Sequence, residues 1–500
     1  MEILLRKQTR DRILFVFIFY ILFTLPILLA NVYYNDDHGR SLYGSTWSKN
    51  GRIFSTVLMN LLDLRVRNIL DLSPLGQIIG LLVLACAAVL LTQRLTRSQR
   101  PGWFALSMCG FPLAIQPFFL QNLSYKFDAL PMLMAQALAV FAAVLPLSWS
   151  CRKRFVICFA LLVGVMGFYQ TGVNTYLALA ILVFLSDYEY GETAKAWGDI
   201  GIKISSFLVA AVLYKDLIIP ATIHGQFERH LAVTLDLKTL PFHELGENIY
   251  NILALTSVLL TQGAKPLLLG LFGMAVFCSL LNAVKYFRQK TISDFSVGIL
   301  YCALPIALLT LLSGMLLILK NVEYVPRILT SFSACIIFVN LAFMRGFLRK
   351  LGWVPLIPLV YYFVISFSYG NMLAENSRFE LFHVQRVSSA LMDMGYQGGD
   401  NLFLYGEEPL SPIVKNAIQA MPILGKLKPD PAIHDDEYFG YTILRSRGIE
   451  VPDHTSQDWL QAKECLNPSY KVYETADFMI FRKDHFFCVQ EKNKSSELKE

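Results

Sequence analysis

Within five consecutive positions the chain places Asp36, Asp37, His38 and Arg40, inside the polar stretch NVYYNDDHGRSLYGSTWSKNGR that begins at Asn31. A carboxylate in such a setting can accept the proton of a hydroxyl nucleophile, which makes Asp36 and Asp37 candidates for a general base. The same pair would also serve to cap a helix or line a solvated turn. Arginine forks grip phosphate oxygens, so a lipid phosphate is a fitting partner for Arg40 and Arg52. Arg65 and Arg67 suit the anchoring of an interfacial helix to anionic headgroups.

Other polar segments carry further candidates: Tyr125-Lys126-Phe127-Asp128, Tyr169-Gln170, the run from His224 to His243, and Glu323-Tyr324 through Arg327. Lys126 and Asp128 read either as an ion pair at a helix entry or as substrate contacts. Gln170 can bond a sugar hydroxyl or satisfy loop backbone, and Arg327 is open in the same way. The histidines of the 220–250 segment lack an H-x-x-x-H spacing, and no Gly-rich phosphate loop is present. No metal site is expected, and the absence of an Asp-x-Asp triplet in the polar segments favours a lipid-linked donor over a soluble nucleotide sugar.

The elements that position these groups follow from composition. With 500 residues, 55% of them hydrophobic and only 16% charged, and a mean hydropathy of +0.47, the chain is too apolar for a soluble protein. The net charge of +6 does not point to nucleic acid, because Lys and Arg sit in short loops between apolar runs, where they orient helices. A span needs roughly 20 apolar residues, and on that rule about eleven spans are expected. Ile13 to Ala30 is the first of them, with no cleavage site of the signal-peptide kind after it. Arg6, Lys7, Arg10 and Arg12 place the N-terminus in the cytoplasm, and basic loops near Arg94, Arg152, Lys285 and Arg345 extend the pattern to an external C-terminus. The loop DYEYGETAKAWGD (187–199) is acidic where the pattern wants basic residues. The polar segments named above then share the external face.

The expected architecture is an all-α polytopic membrane bundle over residues 1–370, with a first external loop at 31–75 and a small α/β domain at 371–490. Within that domain strands are expected at Asn401 to Tyr405, Tyr470 to Glu474 and Asp477 to Arg482, and a helix near Ser411 to Ala420. The tail 491–500 is expected to be disordered. Seven of nine cysteines fall in or beside spans, while Cys465 and Cys488 stand apart as a candidate disulfide should their domain face an oxidising compartment.

The ordered set NDDHGRSLYGSTWSKNGR, DLSPLGQI, LSYKFDALPM and YQTGVNTYL resembles, along most of the chain, the serotype-converting O-antigen glucosyltransferases of the Gtr type. The resemblance implies a GT-C architecture, with an acidic residue in the first external loop. It also implies transfer of glucose from undecaprenyl-phosphate glucose onto O-antigen repeats of lipopolysaccharide at the periplasmic face of the inner membrane. Carried onto this chain, it makes Asp36 or Asp37 the base that deprotonates the acceptor hydroxyl. Arg40, Arg52, Lys126 and Arg327 become contacts of the donor phosphate, and Tyr125, Asp128 and Gln170 contacts of sugar. One base and one phosphate leaving group predict inversion at the anomeric carbon. The implied partners are the lipid donor, the polysaccharide acceptor, the bilayer, a flippase and the glucosyltransferase that makes the donor; no cofactor is expected, and a metal requirement stays open. A transporter or flippase of lipid-linked sugars is the alternative, for which charges along a central path would be needed. An acyltransferase would want a His beside a carboxylate, but Asp37 and His38 are adjacent in the chain, and neighbouring side chains point apart.

Overall fold

The computed structural model describes residues 7–65, 68–223, 233–235, 242–261, 263–289, 291–433, 438–454 and 456–492. In chain order its main helices are α1 (Lys7–Ala30), α2 (Asp36–Tyr43), α3 (Ile53–Leu62), α4 (Leu75–Thr96), α5 (Ala129–Ala143), α6 (Cys151–Phe168) and α7 (Gly172–Glu189). They continue with α8 (Thr193–Leu213), α9 (Phe242–Ser257), α10 (Lys265–Phe287), α11 (Ile292–Thr310), α12 (Phe332–Met344) and the long α13 (Leu356–Asp393). The C-terminal segment adds β1 (Asn401–Tyr405), α14 (Pro412–Ala420), α15 (Tyr438–Ser446), α16 (Ser456–Cys465), β2 (Lys471–Glu474), β3 (Phe478–Lys483) and β4 (Phe486–Glu491). The chain divides into two compact units.

The first unit comprises Met1–Leu28, Thr46–Arg67 and Asp71–Phe367. The segments containing α1, α4, α10, α11 and α13 are, among the described residues, long and apolar enough to cross a membrane. At its centre lies α5, which packs against α4, α6 and α7. Ala129, Ala135, Ala137, Ala139, Ala142 and Ala143 are all buried there, and such small side chains let helices approach closely. Gly80 of α4 shows how closely, because a Cβ at that position would lie 2.7 Å from Leu133 of α5.

One expected span differs from a single long helix in an instructive way. The run from Trp103 to Leu120 is broken into Trp103–Cys109, a 3-10 turn at Phe111–Leu113, and Phe119–Ser124. Pro112 and Pro117 explain the breaks, since each lacks an N–H and disfavours helix in the residue before it. Gln116 Oε1 accepts the Phe118 N–H at 3.1 Å and so satisfies part of the buried backbone. The apolar run from Ile252, too short to span, belongs in part to the amphipathic α9, whose Phe242, Ile249, Tyr250 and Leu253 are exposed. His243 and Glu244 lie on α9, whereas His224, Glu228, Arg229 and His230 fall outside the described residues, as does Arg67.

Charges gather at opposite ends of this unit. The C-terminal ends of α4 and α7 meet the N-terminal ends of α6 and α8 at a basic pole. There Asp187 accepts from Arg94 and Arg97, each at 2.6 Å, and Asp199 accepts from Arg154 at 2.5 Å and Lys203 at 2.8 Å. Glu189 pairs with Arg345 and takes the Tyr301 hydroxyl. This resolves the odd acidity of the 187–199 loop: its carboxylates are the internal counter-ions of arginines that end the neighbouring helices. A helix such as α4, at 1.5 Å per residue, sets the opposite pole about 30 Å away, the thickness of a bilayer core.

The second unit comprises Leu29–Ser45, Asn68–Leu70 and Ser368–Glu500. Its sheet runs β1-β4-β3-β2, with β1 parallel to β4 and the other pairs antiparallel. On one face Leu402, Leu404, Ile480, Phe487 and Val489 pack against Val384, Val387 and Leu391 of α13 and Leu444 of α15. On the other, Phe403, Phe481 and Cys488 pack against Ala462 and Cys465 of α16. Strand β4 was not expected from the sequence. Its apolar run FFCVQE follows the Lys483-Asp484-His485 turn, where Asp484 has φ of +54° and reverses the chain into a hairpin. The amphipathic residues from Phe379 onward continue the helix of the last apolar run, because α13 spans Leu356–Asp393 without a break.

Candidate functional site

Six of the nine expected catalytic and substrate-binding residues converge in the first unit, at the pole opposite the basic one. Arg52 precedes α3, Asp128 precedes α5, Gln170 lies between α6 and α7, and Arg327 precedes α12. Alternating helix direction therefore delivers all of these connections to one end. Asp128 is buried; its Oδ1 accepts from Trp47 Nε1 at 2.6 Å and faces Arg52 Nη1 at 3.5 Å. The Arg52 guanidinium lies over the Tyr169 ring at 4.8 Å, and the Tyr169 hydroxyl donates to the Arg327 carbonyl at 3.4 Å. Arg327 in turn bonds the Tyr125 hydroxyl, lies over the Tyr125 ring at 5.4 Å, and pairs with Glu323 at 3.3 Å. Lys126 pairs with Asp71 at 3.2 Å.

Gln170 donates to the Tyr214 hydroxyl at 3.0 Å, and that hydroxyl donates to the Gly51 carbonyl. Gly51 has φ of +72°, a backbone conformation that costs glycine little, and it presents its carbonyl one residue before Arg52. The arrangement thus sets three cations, three carboxylates and four aromatic side chains at one pole. Guanidinium and ammonium groups there offer compensating charge to a phosphate, and the aromatic rings offer faces and hydroxyls to sugar. Trp47, Asp71 and Tyr214 were not singled out by sequence reasoning. Only Trp47 carried a signal: a large aromatic inside a charged loop.

Asp36, Asp37 and Arg40 are built into the second unit, on α2. Asp37 is fully buried, and its Oδ2 accepts the Tyr34 N–H at 3.0 Å. Asp36 is partly exposed, while Arg40 is buried and donates to the Ser45 carbonyl at 3.3 Å. Further bonds fasten the segment: the Tyr34 hydroxyl donates to the Leu427 carbonyl at 2.8 Å, Asp430 N donates to Asn35 Oδ1 at 3.0 Å, and Arg445 Nη1 donates to the Tyr43 hydroxyl at 3.1 Å.

Two other clusters of the second unit bear on chemistry. Cys465 and Cys488, the candidate disulfide, are both buried thiols here, and a hydrogen bond from the Cys488 side chain is the main cause that holds the Cys465 thiol below its ordinary range. Near the end of α13, His383 Nε2 lies 2.8 Å from Glu491 Oε1, with Glu380 one turn away. Glu408 accepts the Ala432 N–H at 3.2 Å on Oε1, while its Oε2 and that of Glu491 are buried without a bond. Burial pushes the Glu408 carboxyl up to about 7, against the pull of the Ala432 N–H and of His383. Among the described residues no group of three or more His, Cys, Asp and Glu side chains is arranged to hold a metal ion.

A helical membrane unit with a tyrosine-lined cluster of cations at one pole, joined to a small α/β unit, is the class of protein these features define. The family follows from comparison with known sequences: residues 25–344 match the family described as glucosyl transferase GtrII, and the chain belongs to it. It is therefore a membrane glycosyltransferase. It is also 25% identical over 459 residues to an uncharacterised 55.3 kDa protein from the gtrB 5' region of Salmonella phage P22, covering 89% of this chain and 92% of that one. No solved structure matches.

Proposed function

We propose that this chain moves glucose from a polyprenyl-phosphate glucose, of the undecaprenyl type, to an O-antigen repeat at the periplasmic face of the inner membrane, inverting the anomeric carbon. The family supports a glucosyl transferase, and the relative from the gtrB region supports the O-antigen setting. The observation that carries the donor assignment is the convergence of Arg52, Lys126 and Arg327 at the pole away from the arginine-rich one. By the positive-inside rule the arginine-rich pole is cytoplasmic, which puts the cluster outside. Transport is disfavoured because α5 and α12, which run between the poles, contain no charged residue.

In this reading the acceptor hydroxyl gives its proton to Asp36 or Asp37 as its oxygen bonds the anomeric carbon, and the bond from that carbon to the lipid phosphate breaks with its electrons on phosphate. Cations stabilise the departing phosphate, which needs no proton. The burial of Asp37 against the partial exposure of Asp36 favours Asp36 as the base. The test is linkage analysis and mass spectrometry of lipopolysaccharide from cells with and without the chain, joined to an assay of purified protein with polyprenyl-phosphate glucose. A glucose branch that appears only with the chain and only with the lipid donor is expected. Unchanged polysaccharide, or transfer from a nucleotide sugar, overturns the reading.

A further inference from the structure

We propose that Asp128 is a positioning residue that acts through Arg52, holding that guanidinium as the anchor for the phosphate of an isoprenoid-phosphate sugar, instead of touching sugar itself. This rests on the lipid-donor reading above and assigns the roles within it.

The Asp128 side chain is only 3% exposed. Trp47 Nε1 already occupies Oδ1 at 2.6 Å, and Arg52 Nη1 lies against the same oxygen at 3.5 Å. A carboxylate enclosed in this way has little surface to offer a sugar hydroxyl. Arg52 differs, with a side chain 25% exposed, although its Nε is itself buried and makes no hydrogen bond. A guanidinium carries five N–H donors in one plane. Stacked on Tyr169 and held at one nitrogen by Asp128, it keeps the rest of its edge directed along that plane, the geometry that meets two phosphate oxygens. The other two cations are engaged more fully: Lys126 with Asp71, and Arg327 with Tyr125 and Glu323.

The four parts come from three separate segments. Trp47 and Arg52 precede α3, Asp128 precedes α5, and Tyr169 follows α6. The short bond from Trp47 fixes the carboxylate, so Asp128 does not follow Arg52 when a phosphate draws the guanidinium toward it. Asp128 thus limits where Arg52 can go, and the ring of Tyr169 sets its plane.

The test uses full-length protein in detergent, with binding of an isoprenoid phosphate measured beside steady-state transfer from polyprenyl-phosphate glucose. Asp128→Asn is expected to weaken isoprenoid-phosphate binding and raise the donor KM about tenfold, the scale of one loosened charge-assisted bond, with the acceptor KM unchanged. Asp128→Glu is expected to recover most of the loss. Arg52→Lys should show the same donor defect, and the double variant should be no worse than Arg52→Lys alone, since one residue works through the other. Trp47→Phe, which removes only the indole donor, should give a smaller shift of the same kind and serves if Asp128→Asn does not accumulate. An Asp128→Asn protein with a raised acceptor KM and normal donor binding overturns the proposal, as does a fall in kcat with both KM values intact. Should the unaltered protein bind no isoprenoid phosphate and use another donor, the functional reading itself fails, a result separable from the others.

Discussion

Tyr34 and Asp37 hold each other twice: the Tyr34 N–H donates to Asp37 Oδ2 at 3.0 Å, and the Asp37 N–H donates to the Tyr34 carbonyl at 3.0 Å. This reciprocal pair starts α2 in the manner of a capping box. Asp37→Ala is expected to loosen the turn by about 1 kcal/mol. Asp36→Asn should leave the fold intact and lower transfer by about a hundredfold or more, the usual scale for losing a general base. Rate measurements on membranes with equal protein levels decide between them. Full activity in both Asp36→Asn and Asp37→Asn would remove the catalytic assignment.

Acid should stabilise the second unit. Glu408 is buried among Glu380, His383, Glu491 and Lys428, and its folded-state value lies near 7 against an ordinary 4.5. The folded form therefore binds the proton more tightly than the unfolded one. The stability due to this group is fully present below pH 4.5 and is lost as the pH rises through about 7. Amide hydrogen exchange of β1 and β4 in the full-length protein, corrected for intrinsic rates, should show less protection at about pH 8 than at about pH 5.5. Glu408→Gln should flatten the difference, and equal slopes in both proteins would count against a role for Glu408.

At the basic pole, Asp199→Asn leaves Arg154 and Lys203 buried with their counter-ion gone. Breaking such a pair costs roughly 3–5 kcal/mol. Thermal unfolding in detergent should fall by several degrees, while the molecules that stay folded keep their donor KM, because the opposite pole is untouched. An unshifted transition would mean that the pole tolerates unpaired charge.

Cys465 and Cys488 are expected to join when the protein is exposed to a thiol–disulfide oxidoreductase. The lowered Cys465 thiol supplies the thiolate that attacks the oxidoreductase's disulfide, releasing one of its sulfurs as thiolate, and Cys488 then attacks the mixed disulfide and releases the reduced oxidoreductase. The bridge would link α16 to β4 and stabilise by about 3 kcal/mol. A mobility shift on reduction reveals it; two thiols that alkylate without reductant in protein taken from the oxidising compartment refute it.

Much of the site was legible because helix direction alternates. Once basic loops orient the spans, Arg52, Lys126, Asp128, Gln170 and Arg327 must fall at one end, whatever the detailed packing. What each residue does there was not legible. Asp128 and Gln170 are polar groups before or between helices, which suits substrate or scaffold equally, and only their partners Trp47 and Tyr214 tell the difference. Tyr214 stands at the end of the apolar α8, where an aromatic reads as core. Nor did local sequence tell that the segment from Tyr34 to Tyr43 pairs with Leu427, Asp430 and Arg445, since those contacts join residues 393 to 402 positions apart. The broken third span satisfied a length rule that counts apolar residues and is blind to where Pro112 and Pro117 interrupt hydrogen bonding.

The buried counter-ions at the basic pole also bear on how the chain enters its membrane. Synthesis proceeds from the N-terminus, so Arg94, Arg97 and Arg154 are made before the segment bearing Asp187, Glu189 and Asp199. An acidic loop arriving alone would carry no retention signal. In the folded chain its carboxylates are matched to arginines contributed by earlier segments.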